Sequence, residues 1–267
     1  MADILTVVLK QYSRESKDLK LPPLSDYTSC VVVGECDNLK KSLLFLTALT
    51  AASELGLKVL FLSPAPIESL PGVLQGALAR LSPDDLKKVK FKYPRCSAEL
   101  RCEIAALHEL DAPPPPSLII VDGMDLYVGA EGGLLAAQAQ SAHISALLLD
   151  TAAFLTQRDT AAPCYVITSF RPEQEGRTAG ESPAPDPVLA VIDRYFPVRC
   201  TFTKGGTSSS LGCTTEIKET LQVYFSGVGL NATPPLTKTD ETHFGQQWSL
   251  SVSQDGAMEF SVLRVKD

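Results

Sequence analysis

Four short apolar runs constrain this chain more than any other feature: CVVV (30–33), KVLFL (58–62), LIIVD (118–122) and CYVIT (164–168). Each is continuous rather than alternating, so each reads as a strand buried on both faces. Helical patterns separate them. Leu39–Leu57 is apolar nearly all round and carries Gly56 near its end, Ser97–His108 follows, and Gln138–Arg158 is rich in Ala and Leu. Buried strands alternating with helices need crossover connections, which make a mainly parallel sheet covered by helices on both faces. VKFKY (89–93) alternates like a partly exposed strand.

The style changes after the last of these runs. Arg171–Pro187 is a polar loop rich in Pro, Glu and Gly, and Val188–Phe196 is a short helix leading into a strand at Arg199–Phe202. Thr220–Ser226 reads as a strand between two loops, and Trp248–Ser253 and Met258–Leu263 flank Gln254-Asp255-Gly256, the pattern of a β-hairpin with a D-G turn. The expected organisation is an amphipathic helix and linker over 1–28, an α/β core over 29–203, and antiparallel strands with flexible loops over 204–267. No internal repeat is visible. In the first helix Ile4, Val8 and Tyr12 share a face with Leu5 and Leu9 beside it, and that face fits the chain's own core or a partner equally well.

The first apolar run leads into CVVVGECDNLKKSLLF (30–45), a strand–loop–helix frame of the P-loop kind, G-x-x-x-x-G-K-[ST]. Such a loop aims successive backbone N–H groups at phosphates, its Lys reaches the β- and γ-phosphates, and its hydroxyl binds Mg²⁺. Gly34 and Lys40 keep the spacing, but Leu39 stands where the second Gly belongs and Lys41 where the Ser/Thr belongs. Shifting the register by one makes Lys41-Ser42 the Lys–hydroxyl pair. Read as a nucleotide loop, the ATP-binding residues are Gly34, Asn38, Lys40, Lys41 and Ser42. Read blandly, it is one of many α/β strand–loop–helix turns that hold no nucleotide.

The run LIIVD ends in Asp122, the form of a Walker B strand whose acid holds Mg²⁺ through water, so the metal set is Ser42 and Asp122 with Asp125 as the nearest second carboxylate. A helix-capping Asp after a buried strand is the competing reading. Turnover also needs a group to orient water. Here KVLFL is followed by Ser63 and Pro64 with no acid before Glu68, and CYVIT by Ser169 and Phe170 with Gln174 further on. No catalytic residue is assigned.

The net charge of −7 and pI near 5.1 argue against a dedicated duplex-DNA binder, so any nucleic-acid contact has to come from a local patch or a partner. Phe170, Arg171 and Arg177 offer stacking and pairing to single-stranded DNA. Glu173, Glu175, Glu181 and Asp186 make the same loop net acidic, the mark of a solvated loop. Lys87, Lys88, Lys90 and Lys92 form the densest basic cluster, and protection of a sheet edge is the favoured reading. Seven cysteines without a C-x-x-C pair predict reduced thiols and no zinc. The start has no cationic region before an apolar core, and the longest apolar run, 144–155, is broken by Asp150. The expectation is a soluble, intracellular protein that engages no membrane.

Several stretches together carry a resemblance: KVLFLSPAPIESLP (58–71), KVKFKYPRCSAEL (88–100), SLIIVDGMDLY (117–127), ISALLLDTAAFLTQR (144–158), VIDRYFPVRC (191–200) and WSLSVSQDGAMEF (248–260). In order and spacing the chain resembles the recombinase-paralogue, ATPase-like subunits of the Shu complex, which associate with a SWIM-type zinc-finger protein. The likeness spans most of 29–263 and leaves out 1–28 and the loops at 170–187 and 204–246. It implies a RecA-like P-loop NTPase fold, a nuclear location and a stable pairing with the SWIM-type partner. It further implies work in homologous-recombination repair of double-strand breaks, supporting recombinase and its paralogues on single-stranded DNA, with ATP hydrolysis and single-strand binding as activities. The family's P-loop maps onto Gly34–Lys41 and its Walker B acid onto Asp122, while Leu39 and Lys41 depart from it. Two readings follow: a binding subunit whose ATP site is degenerate, or a slow DNA-dependent ATPase using Lys40, Ser42 and Asp122.

Overall fold

A computed structural model describes residues 2–11, 28–66, 81–109, 115–129, 132–158, 163–172, 186–204, 219–227, 247–252 and 258–263. Among them nine strands form one sheet in the order β3-β2-β4-β5-β1-β6-β7-β8-β9. The strands are β1 (Ser29–Val33), β2 (Val59–Leu62), β3 (Val89–Lys92), β4 (Leu118–Val121), β5 (Tyr165–Phe170), β6 (Val198–Lys204), β7 (Glu219–Ser226), β8 (Gln247–Val252) and β9 (Met258–Leu263). β3, β2, β4, β5, β1 and β6 run parallel, and β7, β8 and β9 extend the same sheet antiparallel. The expected α/β class, a mainly parallel sheet ending in antiparallel strands, is the one found. The boundary placed at 203/204 falls inside β6, so the last strands continue the core sheet.

The described helices are α1 (Ala2–Gln11), α2 (Asp37–Ser53), α3 (Pro83–Lys87), α4 (Ser97–Ala105), α5 (Met124–Tyr127), α6 (Gly133–Arg158) and α7 (Pro187–Ile192). Side-chain alternation along β1 assigns six of them to the two faces. Cys30 and Val32 lie in an apolar cluster with α1 and α2, while Val31 and Val33 lie in a second with α4, α5, α6 and α7. α2 reads as apolar all round because it is buried nearly all round, from Leu39 to Ala52. It stops at Ser53, earlier than expected, and Gly56 takes the left-handed conformation (φ 66°) that lets Leu57 N–H return to the Ala51 carbonyl.

The first helix docks within the chain. Ile4, Leu5, Val8 and Leu9 are buried with α2, and Thr50 Oγ1 donates to Gln11 Oε1 at 3.1 Å. Tyr12, the connector to 27, Arg177 and the Asp255-Gly256 pair lie outside the described residues, as do residues 173–185, 205–218 and 228–246. β8 and β9 nonetheless pair antiparallel up to Val252 opposite Met258.

α3 and α5 were not expected from the sequence. α3 is one turn set by a capping box, in which Ser82 accepts from Asp85 N–H and the Asp85 carboxylate accepts from Ser82 N–H. Its lysines are occupied locally: Lys87 pairs with Asp84 and Lys88 with Asp85, each at 2.9 Å. Lys92 pairs with Glu103 of α4, and Lys90 is exposed on β3, the outermost strand of the sheet. This placement suits a charged strand edge.

Candidate functional site

The parallel strands deliver their carboxyl ends to one rim, where α/β sheets ordinarily take ligands. Gly34 follows β1, Ser63 follows β2, Asp122 follows β4, and Ser169 and Phe170 end β5. Because β5 lies between β1 and β4, Asp122 faces the Gly34 loop across one intervening strand.

The loop itself is short. α2 begins at Asp37 with Cys36 as its N-cap, and Lys40 N–H already bonds to the Cys36 carbonyl at 3.1 Å. Residues that the P-loop spacing assigns to a phosphate-wrapping loop are thus the first turn of a helix. Gly34 has a packing reason: a Cβ there would lie 2.9 Å from the Phe202 Cβ and 3.3 Å from the Phe202 carbonyl oxygen of β6. Only glycine lets the two strands approach this closely.

Lys40 is 3% exposed, and its ammonium donates to the Phe170 carbonyl at 3.2 Å and pairs with Asp37 Oδ1 at 3.1 Å. The other Asp37 oxygen accepts from the Arg171 guanidinium at 2.9 Å, and Arg171 N–H donates to Asp125 Oδ1 at 2.9 Å. Lys41 reaches the other way, its ammonium 3.9 Å from Asp122 Oδ2. Ser63 donates to Asp122 Oδ2 at 3.3 Å and Ser169 to Oδ1 at 3.1 Å, while Ser169 accepts Gly123 N–H at 2.7 Å. Ser42 turns back on its own helix, donating to the Asn38 carbonyl at 2.8 Å. Asn38 is exposed on the first turn of α2.

The rim therefore gathers Gly34, Asn38, Lys40, Lys41, Asp122 and Arg171, while two further expected residues are buried beneath it. Phe170 is 2% exposed in the second apolar cluster and presents no face on which a base stacks. Ser42 is 3% exposed and donates its hydroxyl to a backbone carbonyl. The sequence reading passed over Asp37, and treated Ser63 and Ser169 only as places where other residues were wanted. Their position directly at strand ends was the available signal for their role as partners of Asp122.

Two features of the rim bear on how MgATP would sit there. A dication bound through Asp122 needs oxygen donors, and the residue that follows the P-loop lysine here presents an ammonium 3.9 Å from that carboxylate. The helix N-terminus that would meet a phosphate carries the Asp37 carboxylate, held by Lys40 and Arg171.

Burial pushes the Asp122 carboxyl above its usual range, against the opposing pull of Lys41, Ser169, Ser63 and Lys40. Burial likewise raises Asp125, opposed by the Arg171 N–H. A raised folded-state value means the folded chain holds more protons than the unfolded one, so stability falls as pH rises from the ordinary Asp value of about 4 through the raised one. Asp122→Asn should flatten that decline. Urea unfolding of both proteins across acidic to neutral pH measures it, and equal slopes would contradict the assignment.

No protein-family model matches the chain. Over 180 residues, 67% of this chain, it is 37% identical to the mouse (Mus musculus) protein named ATPase SWSAP1 and 33% identical to the human (Homo sapiens) protein of that name. The matched segment covers 70% of the human protein. The chain belongs to the ATPase SWSAP1 family. It spans only 58% of the mouse relative's length. Among solved structures, the RadB recombinase aligns with a TM-score of 0.54 at 15% identity, over 88% of this chain and 91% of that one. A KaiC-like protein of Pyrococcus horikoshii aligns with a TM-score of 0.51 at 10% identity, over 88% and 89%. The RecA-like fold expected from the resemblance is therefore the fold of this SWSAP1-family chain.

Proposed function

We propose that this SWSAP1-family chain is a RecA-like paralogue subunit of a Shu-type complex in homologous-recombination repair, working through its surfaces rather than through ATP turnover. In this reading it sits in the nucleus, pairs with a SWIM-type zinc-finger protein, and helps keep recombinase on single-stranded DNA. Family membership supports the setting. The single observation that carries the non-catalytic part is the rim, where the two P-loop lysines are taken up by Asp37, the Phe170 carbonyl and Asp122. The degenerate ATP site and the surface role are thus one idea: the fold is retained after its phosphate loop has become a helix turn.

Co-expression with a SWIM-type partner tests the reading. Co-purification, and recruitment of recombinase to single-stranded DNA that survives Lys40→Ala, are the expected results. Failure of the chain to associate with that partner would overturn it.

The relatives' name, ATPase, keeps a second reading on the table for this chain: slow DNA-dependent hydrolysis through Lys40, Ser42 and Asp122. Lys40→Ala then abolishes both nucleotide binding and phosphate release. An unchanged rate in Lys40→Ala removes that reading.

A further inference from the structure

We infer that the nucleotide site at the sheet rim is filled from within, with the Asp37 carboxylate standing in the phosphate position and the Lys41 ammonium in the metal position. The inference deepens the proposed non-catalytic reading and rests on it.

Two independent pairings carry it. A P-loop lysine and an arginine at the rim would ordinarily face phosphate oxygens; here Lys40 and Arg171 hold one oxygen each of Asp37, at 3.1 and 2.9 Å. Asp37 is in the first turn of α2, where a negative charge also meets the positive end of the helix dipole. It sits at the third of the four variable positions of the P-loop pattern, so the anion is in the sequence itself.

On the other side, the position that should give a hydroxyl to Mg²⁺ gives an ammonium instead. Lys41 projects to Asp122, 3.9 Å from Oδ2, while Ser63 and Ser169 take up further lone pairs of the same carboxylate. The next hydroxyl along, Ser42, is turned into its helix and takes no part. Asp122 therefore has a resident monovalent counter-ion where the fold elsewhere uses a divalent one. Two cations at this spacing would repel, so Lys41 and Mg²⁺ compete for Asp122.

The test uses the full chain and thermal unfolding, with MgCl₂ and sodium tripolyphosphate as separate probes. Wild type should ignore both. Lys41→Thr, which restores the hydroxyl and removes the charge, should lose about 2–4 °C in EDTA and regain it in Mg²⁺. Asp37→Asn frees Lys40 and Arg171 and should gain a shift of similar size, about 2–4 °C, with tripolyphosphate alone. Stabilisation of wild type by Mg²⁺ or tripolyphosphate overturns the inference. So does a folded K41T that ignores Mg²⁺ or a folded D37N that ignores tripolyphosphate.

Should K41T not fold, a double-mutant cycle of K41M and D122N reads the same pairing, with the charge effect of K41M expected to vanish in the D122N background. Equal costs in both backgrounds overturn it. Wild-type Mg²⁺ or polyphosphate binding would sink this inference while leaving association with the SWIM-type partner intact. Loss of that association would sink the proposed function and leave the probe responses as they are.

Discussion

Phe61→Ala should destabilise the chain by about 3–5 kcal/mol, because it removes a fully buried aromatic ring from a site that cannot close over the gap. Phe61 on β2 is 0% exposed and lies 5.4 Å, centroid to centroid, from both Phe45 of α2 and Phe91 of β3. Phe45 and Phe91 are themselves 5.4 Å apart, so the three rings form a triangle joining the helix to the outer strands of the sheet. Each ring rests on a different element, and deleting one leaves the other two pinned by their own backbones. Collapse is therefore limited, and the cavity adds to the lost transfer energy. Urea unfolding with an unchanged m-value and a lower midpoint is the expected signature. A loss below about 1 kcal/mol would mean that α2 settles into the gap and that the triangle does not fix its position.

Gly34→Ala follows, with an expected cost of about 1–3 kcal/mol in the absence of any nucleotide. The added methyl would meet the Phe202 Cβ at 2.9 Å and the Phe202 carbonyl oxygen at 3.3 Å. Both belong to rigid parts of β6, which pairs with β1 up to Val33 opposite Thr201, so neither can swing aside like the end of a long side chain. Relief requires separating two central strands. The prediction distinguishes two reasons for the same glycine. Were Gly34 kept only to admit a phosphate, the alanine variant would unfold like wild type and lose ligand binding alone. Equal unfolding midpoints for the two proteins would remove the packing explanation.

Much of the architecture was readable because burial leaves a period in the sequence. LIIVD and CVVV carry no polar alternation since both faces of those strands are covered, and their spacing by helix-length segments leaves room only for parallel crossovers. The short helices α3 and α5 escaped because a single turn, PDDLK or MDLY, is too brief to show a 3.6-residue period. The extent of α2 was misjudged at both ends. Asp37 and Asn38 look like loop residues, yet an Asp in a first helical turn is favoured by the dipole and by Lys40 three residues on.

The site was legible as a set of residues and not as a set of contacts. Sequence spacing brought out Gly34, Lys40, Lys41 and Asp122, because motif spacing survives even where motif chemistry has changed. It could not show that Phe170 points inward, since a residue ending a strand has two faces to choose from and its own identity does not choose between them.

By itself the sequence determined the fold class, the order of its elements and the acid that ends β4, for hydrophobic periodicity and strand length are local properties of the chain. Only the tertiary structure decided what each charge does. Lys40, Lys41, Asp37 and Arg171 become a pattern of paired charges once β5 is inserted between β1 and β4, bringing together residues 37 and 171, and 41 and 122. Coulomb energy depends on distances that no stretch of sequence contains.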